Sequence, residues 1–372
     1  MIATLPRIAN NKTRESVSQR FISVDALRGF DMFWIMGGDF LFRSFYKIYD
    51  TPWTRELNEQ MEHVPYEGFH FYDLIFPLFI FIVGVSITFS LPRVIEQHGK
   101  FIAVKRIFIR SVILFLLGIF YMGGIAGGFE NIYLAGVLQR ISVAYFFAAI
   151  IFCFTNLKQM IALCILMLVG YWAVLTFVPV PGFDVPSYEQ GKNLAHYIDR
   201  WLPGQKFEGT ILSTLGAVAN CLIGVFAGLL LKNKENSDQK RVGWLLAGGL
   251  ICIIVGSIWG MQFPIIKALW TSSYVLVACG CGAILLGIFY QVIEIWKFQK
   301  WAQPFVWIGM NAITIYIAAS ILNFRKLSQR FVGGDVKTLL GNYSDLITSL
   351  VALLLMFWFV HFLYKRKVFI KI

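Results

Sequence analysis

His63, Asp39 and Asp73 are the side chains of this sequence best placed to do chemistry together. His63 lies in a polar stretch, residues 49–69, shortly before an apolar run that opens Tyr72-Asp73-Leu74-Ile75-Phe76-Pro77. Asp39 lies at the far end of the preceding apolar run, 11 residues beyond Arg28, or about 16 Å along a helix at ~1.5 Å per residue. Asp39 and His63 therefore reach the same face of whatever layer these runs cross. A carboxylate there can fix the tautomer of an imidazole and raise its basicity. Asp39 is the expected partner of His63. Asp73 enters its apolar run four residues before Pro77, whose missing N–H frees a carbonyl about one turn earlier. It reads either as a cavity-lining carboxylate or as a helix-capping group.

Cations form a second set. Asp25 and Arg28 are three apart and share a helix face, which suits either an internal ion pair or a basic point for a cofactor phosphate. Arg110 and Arg140 also fall within apolar runs, where an ionisable group costs several kcal/mol unless paired or wet. Asn220 and Asn311 need partners in the bundle and suit interhelical hydrogen bonding. His70, His98, His196 and His361 have no ligand spacing to another His, Cys or carboxylate, so no metal site is expected. P-loop, GxSxG and GxGxxG motifs are missing from any credible context.

The elements that carry these residues must be membrane helices. Hydrophobic residues make up 58% of the 372 and charged ones 15%, against about 45–50% and about 25% in soluble domains. Apolar runs near 20 residues recur from end to end, each long enough to cross ~30 Å of hydrocarbon. The expected fold is an all-α integral membrane protein, a polytopic bundle of about ten transmembrane helices. They are placed near 22–46, 71–91, 106–123, 134–154, 159–178, 211–231, 243–261, 270–292, 304–323 and 346–364. One transmembrane domain, 22–364, then lies between a tail at 1–21 and another at 365–372. Gly224/Gly228 and Gly256/Gly260 read as close helix-packing pairs.

The net charge of +12 would suggest nucleic acid in a soluble protein, but here the Lys and Arg sit mostly in short loops between apolar runs. Segments on the N-terminal side carry 19 of them and the opposite loops 9. That bias places both termini in the cytoplasm and residues 49–69 outside. Residues 1–20 are polar and basic, without the apolar core of a signal peptide. The six cysteines all fall inside apolar runs and read as small core residues rather than a disulfide framework.

In its order of motifs the chain resembles the transmembrane N-acetyltransferases related to heparan-α-glucosaminide N-acetyltransferase, in their bacterial form. The matching stretches are Ser23–Phe30, Asp73–Gly84, Gly136–Ile141, Gly209–Gly228, Pro264–Tyr274 and Pro304–Tyr316, with the C-terminal LYKRKVFIKI. The resemblance implies acetyl transfer across an inner (plasma) membrane, from cytoplasmic acetyl-CoA to an amino sugar or glycan on the external face, by a homodimer. It also implies that His63 is the acetyl acceptor or general base, because His63, Gly68 and Asp73 reproduce the family's spacing. Arg28, Arg110, Arg140 and Asn311 become the candidates for binding acetyl-CoA. The human-type member has Asn where this chain has Asp39, and the stretch from there to His63 is longer here. The rival reading is a secondary transporter for a small polar solute, which intramembrane Asp and Arg residues suit equally.

Overall fold

The computed structural model describes residues 21–182, 185–201 and 210–369 of the chain. The N-terminal tail, except for Phe21, and the last three residues lie outside the described residues. Among those described there are only helices and loops, joined at one point by an isolated antiparallel bridge between Glu67 and Ile266.

In chain order the helices are α1 (Ile22–Phe33), α2 (Asp39–Ile48), α3 (Pro52–Gln60), α4 (Phe71–Tyr121), α5 (Val137–Phe154), α6 (Leu157–Phe177), α7 (Leu194–Asp199) and α8 (Thr210–Lys232). There follow α9 (Asp238–Gly260), α10 (Ser272–Tyr290), α11 (Gln303–Met310), α12 (Ala312–Leu322), α13 (Phe324–Ser328), α14 (Asp335–Leu340) and α15 (Ser344–Lys365). The chain is thus an all-α, polytopic membrane protein. Seven helices are individually long and apolar enough to cross a bilayer, or eight if the bent pair α11 and α12 is one span.

The expected ten is not reached by that criterion, for three physical reasons. The spans at 71–91 and 106–123 both fall within α4, because the basic stretch 93–105 is itself helical and the break narrows to Gly99, at φ +80°. The span at 22–46 is interrupted by a π-helical turn, Trp34–Gly38, where Gly37 takes φ +114°. The span at 304–323 is broken at Asn311, where α12 departs from α11 by 74°.

Close packing is organised by glycines at the helix crossings. A Cβ on Gly84 would lie 2.0 Å from the Cys221 carbonyl, and one on Gly224 would lie 2.0 Å from the Phe81 carbonyl. α4 and α8 therefore meet backbone to backbone. α1 and α11 meet the same way, antiparallel, with Gly309 against the Asp25 carbonyl and Gly29 against Phe305. α4 is the most buried of the long helices, while α6, α9 and α15 turn most of their apolar surface outward, as lipid-facing helices do. All six cysteines are free thiols.

Candidate functional site

Pro77 shapes the entrance of α4. Its ring leaves the carbonyl of Asp73 without the helical N–H it would otherwise receive, and the Tyr274 hydroxyl of α10 donates to that oxygen at 2.8 Å. The Asp73 side chain is fully buried and divides its oxygens between two tasks. Oδ2 accepts from the backbone N–H of His70 at 3.1 Å and of Val64 at 3.2 Å, which caps the helix and gathers the preceding loop. Oδ1 lies 2.8 Å from His63 Nδ1. The capping role expected of Asp73 is therefore present, and the same carboxylate also meets His63.

The loop that carries His63 is held from the far end of the sequence. Gly68, at φ +125°, donates its N–H to the Ile265 carbonyl at 2.9 Å, next to the Glu67–Ile266 bridge. The partner loop, 264–271, is itself pinned. Thr271 Oγ1 accepts from the Ile266 N–H, Ser273 Oγ donates to the Phe263 carbonyl, and the Tyr171 hydroxyl donates to the Leu269 carbonyl. This frame delivers Lys267, whose Nζ lies 3.1 Å from Asp73 Oδ1 and 3.0 Å from His63 Nδ1. Burial pulls the Lys267 ammonium below the usual lysine range, Asp73 opposes that, and Arg140 adds to it.

Asp73 Oδ1 thus faces two donors. With the proton on Nδ1, His63 donates to Asp73 and Nε2 is the ring's acceptor, 3.5 Å from Lys267 Nζ. Lys267 is the member of this cluster that sequence reasoning missed. A lysine in a short polar loop looks like an orientation charge, and only its place within the matching stretch Pro264–Tyr274 marked it.

His63 is about half exposed, and with Lys267 and Tyr72 it edges a cavity of about 300 Å³. The rest of the lining is apolar: Met32 and Ile35 beyond α1's midpoint, Phe76 and Phe79 of α4, Leu138 and Ile141 of α5, and Ile313 and Tyr316 of α12. An imidazole therefore stands at the edge of a largely apolar cavity, where electrostatic interactions are strengthened.

The expected pairing of Asp39 with His63 is not what the structure contains. Asp39 faces Arg43, one turn along α2, at 3.4 Å. The i, i+4 partner intercepts the carboxylate locally, and Arg43 reaches the loop instead, donating to the Met61 carbonyl at 2.6 Å. Arg28 is likewise engaged within the bundle. It pairs with Asp25 at 3.1 Å, and donates to Ser86 Oγ at 2.6 Å and to the Gly309 carbonyl. The internal ion pair expected of Arg28 is thus present.

Arg140 lies over the Trp270 ring at 4.9 Å and is near enough to Lys267 to act on its charge. Arg110 lies over the Tyr145 ring at 4.7 Å and, with Arg106, Ser90 and Val94, lines a separate cavity of about 340 Å³. Asn311 is buried at the bend between α11 and α12, and its side-chain amide has no hydrogen-bond partner among the described residues. Among the described residues no group of three or more His, Cys, Asp or Glu side chains is arranged to hold a metal.

Comparison with known proteins bears out the family resemblance. Residues 20–189 match the family model described as heparan-alpha-glucosaminide N-acetyltransferase, catalytic. That stretch includes His63, Asp73, Asp39, Arg110 and Arg140, and ends before Lys267 and Asn311. The chain is 27% identical over 378 residues to heparan-alpha-glucosaminide N-acetyltransferase of Mus musculus and 26% identical over 377 residues to that of Homo sapiens. Each alignment covers 84% of this chain and 56% of the relative, so the chain spans little more than half the length of these relatives.

Proposed function

We propose that this chain is a transmembrane acetyltransferase that moves acetyl from cytoplasmic acetyl-CoA to an amino sugar or glycan on the opposite face. The observation that carries the reading is the His63–Asp73 pair, 2.8 Å apart, at the mouth of an apolar cavity between helices. The printed names of the curated relatives support it.

In direct transfer, His63 Nε2 takes a proton from the acceptor amine as its nitrogen attacks the thioester carbonyl. The carbon–sulfur bond breaks and the proton passes to the leaving thiolate. In the relay variant Nε2 attacks the thioester carbonyl, the carbon–sulfur bond breaks and the thiolate leaves, giving an acetylimidazolium; the acceptor amine then attacks that acetyl, the Nε2–carbon bond breaks to restore the neutral imidazole, and the amine's proton is released to solvent. In both, Asp73 holds the Nδ1–H tautomer and stabilises the positive ring. Lys267 balances the Asp73 charge.

The cavity that contains Arg106 and Arg110 supports a site for the anionic end of acetyl-CoA, since guanidinium groups match phosphate. One face of α4 joins the two cavities: Phe76 and Phe79 line the first, Ser90 and Val94 the second. On α5, Leu138 and Ile141 line the first and Tyr145 the second. The Lys/Arg bias supports cytoplasmic termini and an inner-membrane location with residues 49–69 outside.

The test is to incubate purified protein in liposomes with radiolabelled acetyl-CoA and glucosamine. Label in the sugar is the expected result. Uptake of a solute without label in any sugar would replace this reading with the transporter.

A further inference from the structure

The lysine beside His63 has a chemistry that neither transfer route uses. Lys267 Nζ lies 3.0 Å from Nδ1 and 3.5 Å from Nε2 of the same imidazole, and both side chains line the apolar cavity. Nε2 is the atom that holds the acetyl group in the relay. An acetyl carbon bonded there is one bond length from a nitrogen that stands 3.5 Å from Nζ. Rotation about the lysine stem brings amine and carbonyl to the ~3–3.5 Å of a near-attack contact. In direct transfer the thioester carbonyl must come within reach of the same imidazole, and so of the same amine.

Only a neutral amine attacks a carbonyl. The Lys267 side chain is 22% exposed, and burial draws its ammonium below the usual lysine range, with Arg140 adding to the effect. Desolvated lysines of this kind act as nucleophiles. Asp73, 3.1 Å away, works in the other direction and restrains the reaction. Lys47 and Lys192 stand differently: they are 62% and 57% exposed and pair with Asp345 and Glu189. Among the residues that line the cavity, Lys267 alone carries an amine.

We propose that Lys267 is a self-acetylation site, at which the protein ends its own activity when no acceptor takes the acetyl group. The acetyl supply rests on the acetyltransferase reading; the placement of the amine beside the imidazole does not. The ammonium first gives up a proton. Nζ then attacks the acetyl carbonyl and a nitrogen–carbon bond forms, while the Nε2–carbon bond breaks, or the carbon–sulfur bond where the thioester is attacked directly. Of the two protons that Nζ loses, one ends on the thiol and one in solvent. The product is an amide, which does not hand its acetyl group on as an acetylimidazole does. It also lacks the positive charge that balances Asp73.

The test incubates the protein in liposomes with deuterated acetyl-CoA and no acceptor, samples it over time, and maps acetylated lysines by mass spectrometry. Lys267 should gain a hydroxylamine-stable acetyl group about tenfold faster than the exposed Lys47 and Lys192. The initial rate of glucosamine acetylation should fall in proportion to the fraction modified, and glucosamine present throughout should slow both changes. Lys267→Arg, whose guanidinium stays protonated, should hold its own starting rate through the same incubation. Active protein that leaves Lys267 unmodified, or a Lys267→Arg variant that declines as wild type does, would overturn the proposal. An acetyl donor that needs no coenzyme, p-nitrophenyl acetate, separates the two readings. Acetylation of Lys267 ahead of Lys47 and Lys192 by that donor supports the site even where no sugar is acetylated, in which case only the acetyltransferase reading fails. Acetylation of Lys267 no faster than of those two overturns the site.

Discussion

His63 Nδ1 and Lys267 Nζ lie 3.0 Å apart although 204 residues separate them, and Asp73 Oδ1 lies between hydrogen-bonding distances of both. The imidazole is thus held by a carboxylate that a second cation partly neutralises. Asp73 anchors the ring without owning it, and each member of the trio has a distinct expected signature.

His63→Ala should abolish acetyl transfer and leave folding and acetyl-CoA binding largely intact, because the half-exposed ring contributes little packing. General acid–base help is typically worth ~10²–10⁴-fold, so the loss in initial rate should fall in or above that range. A variant retaining more than about a tenth of normal turnover would remove His63 from the mechanism.

Asp73→Asn should be far more damaging than Asp39→Asn. An amide at 73 turns a donor toward the positive Lys267, or toward the two backbone N–H groups that cap α4, and leaves a buried group unsatisfied at about 1–3 kcal/mol. Asp39→Asn weakens the pair with partly exposed Arg43 but also removes a charge that is itself costly to bury, so its net cost should be smaller. Melting temperatures and transfer rates of the two variants, measured side by side, check the order; equal effects would count against it.

Lys267→Met should lower transfer while the protein still folds, since the methionine keeps the stem's packing and removes the charge that balances Asp73. Lys267→Arg should recover little, because a planar fork does not fit where a compact ammonium meets both Asp73 Oδ1 and His63 Nδ1. Unchanged turnover in Lys267→Met, measured at saturating acetyl-CoA, would show the lysine to be structural only.

Gly29→Ala and Gly243→Ala form a matched pair. The first places a Cβ 1.7 Å from the Phe305 carbonyl at the α1–α11 crossing; the second meets nothing within 4 Å. Gly29→Ala should therefore cost several kcal/mol through forced helix separation, and Gly243→Ala should be neutral or slightly stabilising in its helix. Thermal unfolding in detergent reads the difference directly.

His196 gives a pH signature outside the spans. Burial pulls its pKa down to about 4, and its Nδ1 accepts from the Gly191 N–H at 2.9 Å. The unfolded chain, with an ordinary pKa near ~6.5, binds the proton more readily. The contribution of His196 to stability is thus complete above about pH 6.5 and lost as pH falls toward about 4. The melting temperature of wild type should drop across that window more steeply than that of His196→Asn; parallel curves would exclude the effect.

The membrane class and nearly every apolar helix were legible in the sequence because lipid demands long uninterrupted runs. The breaks were not: Gly37, Gly99 and Asn311 interrupt or bend helices inside stretches whose hydropathy continues across them. At the site, the spacing of His63, Gly68 and Asp73 was legible because all three serve one local loop and cap. The role of Lys267 was not, since it depends on a backbone bridge between two loops far apart in the chain. The Asp39 partnership was misread because the nearer competitor, Arg43, one turn along α2, was ignored.

The bridge between Glu67 and Ile266 also sets an order of events during synthesis. His63 and Asp73 leave the ribosome and enter the membrane while α5 to α9 are still to be made, and at that stage Gly68 has no acceptor for its N–H and Asp73 has neither Lys267 nor Tyr274. The histidine loop is set in its working position only when the segment before α10 arrives. A nascent chain stalled before residue 264 therefore carries its histidine and aspartate without the partners that hold them in the finished fold.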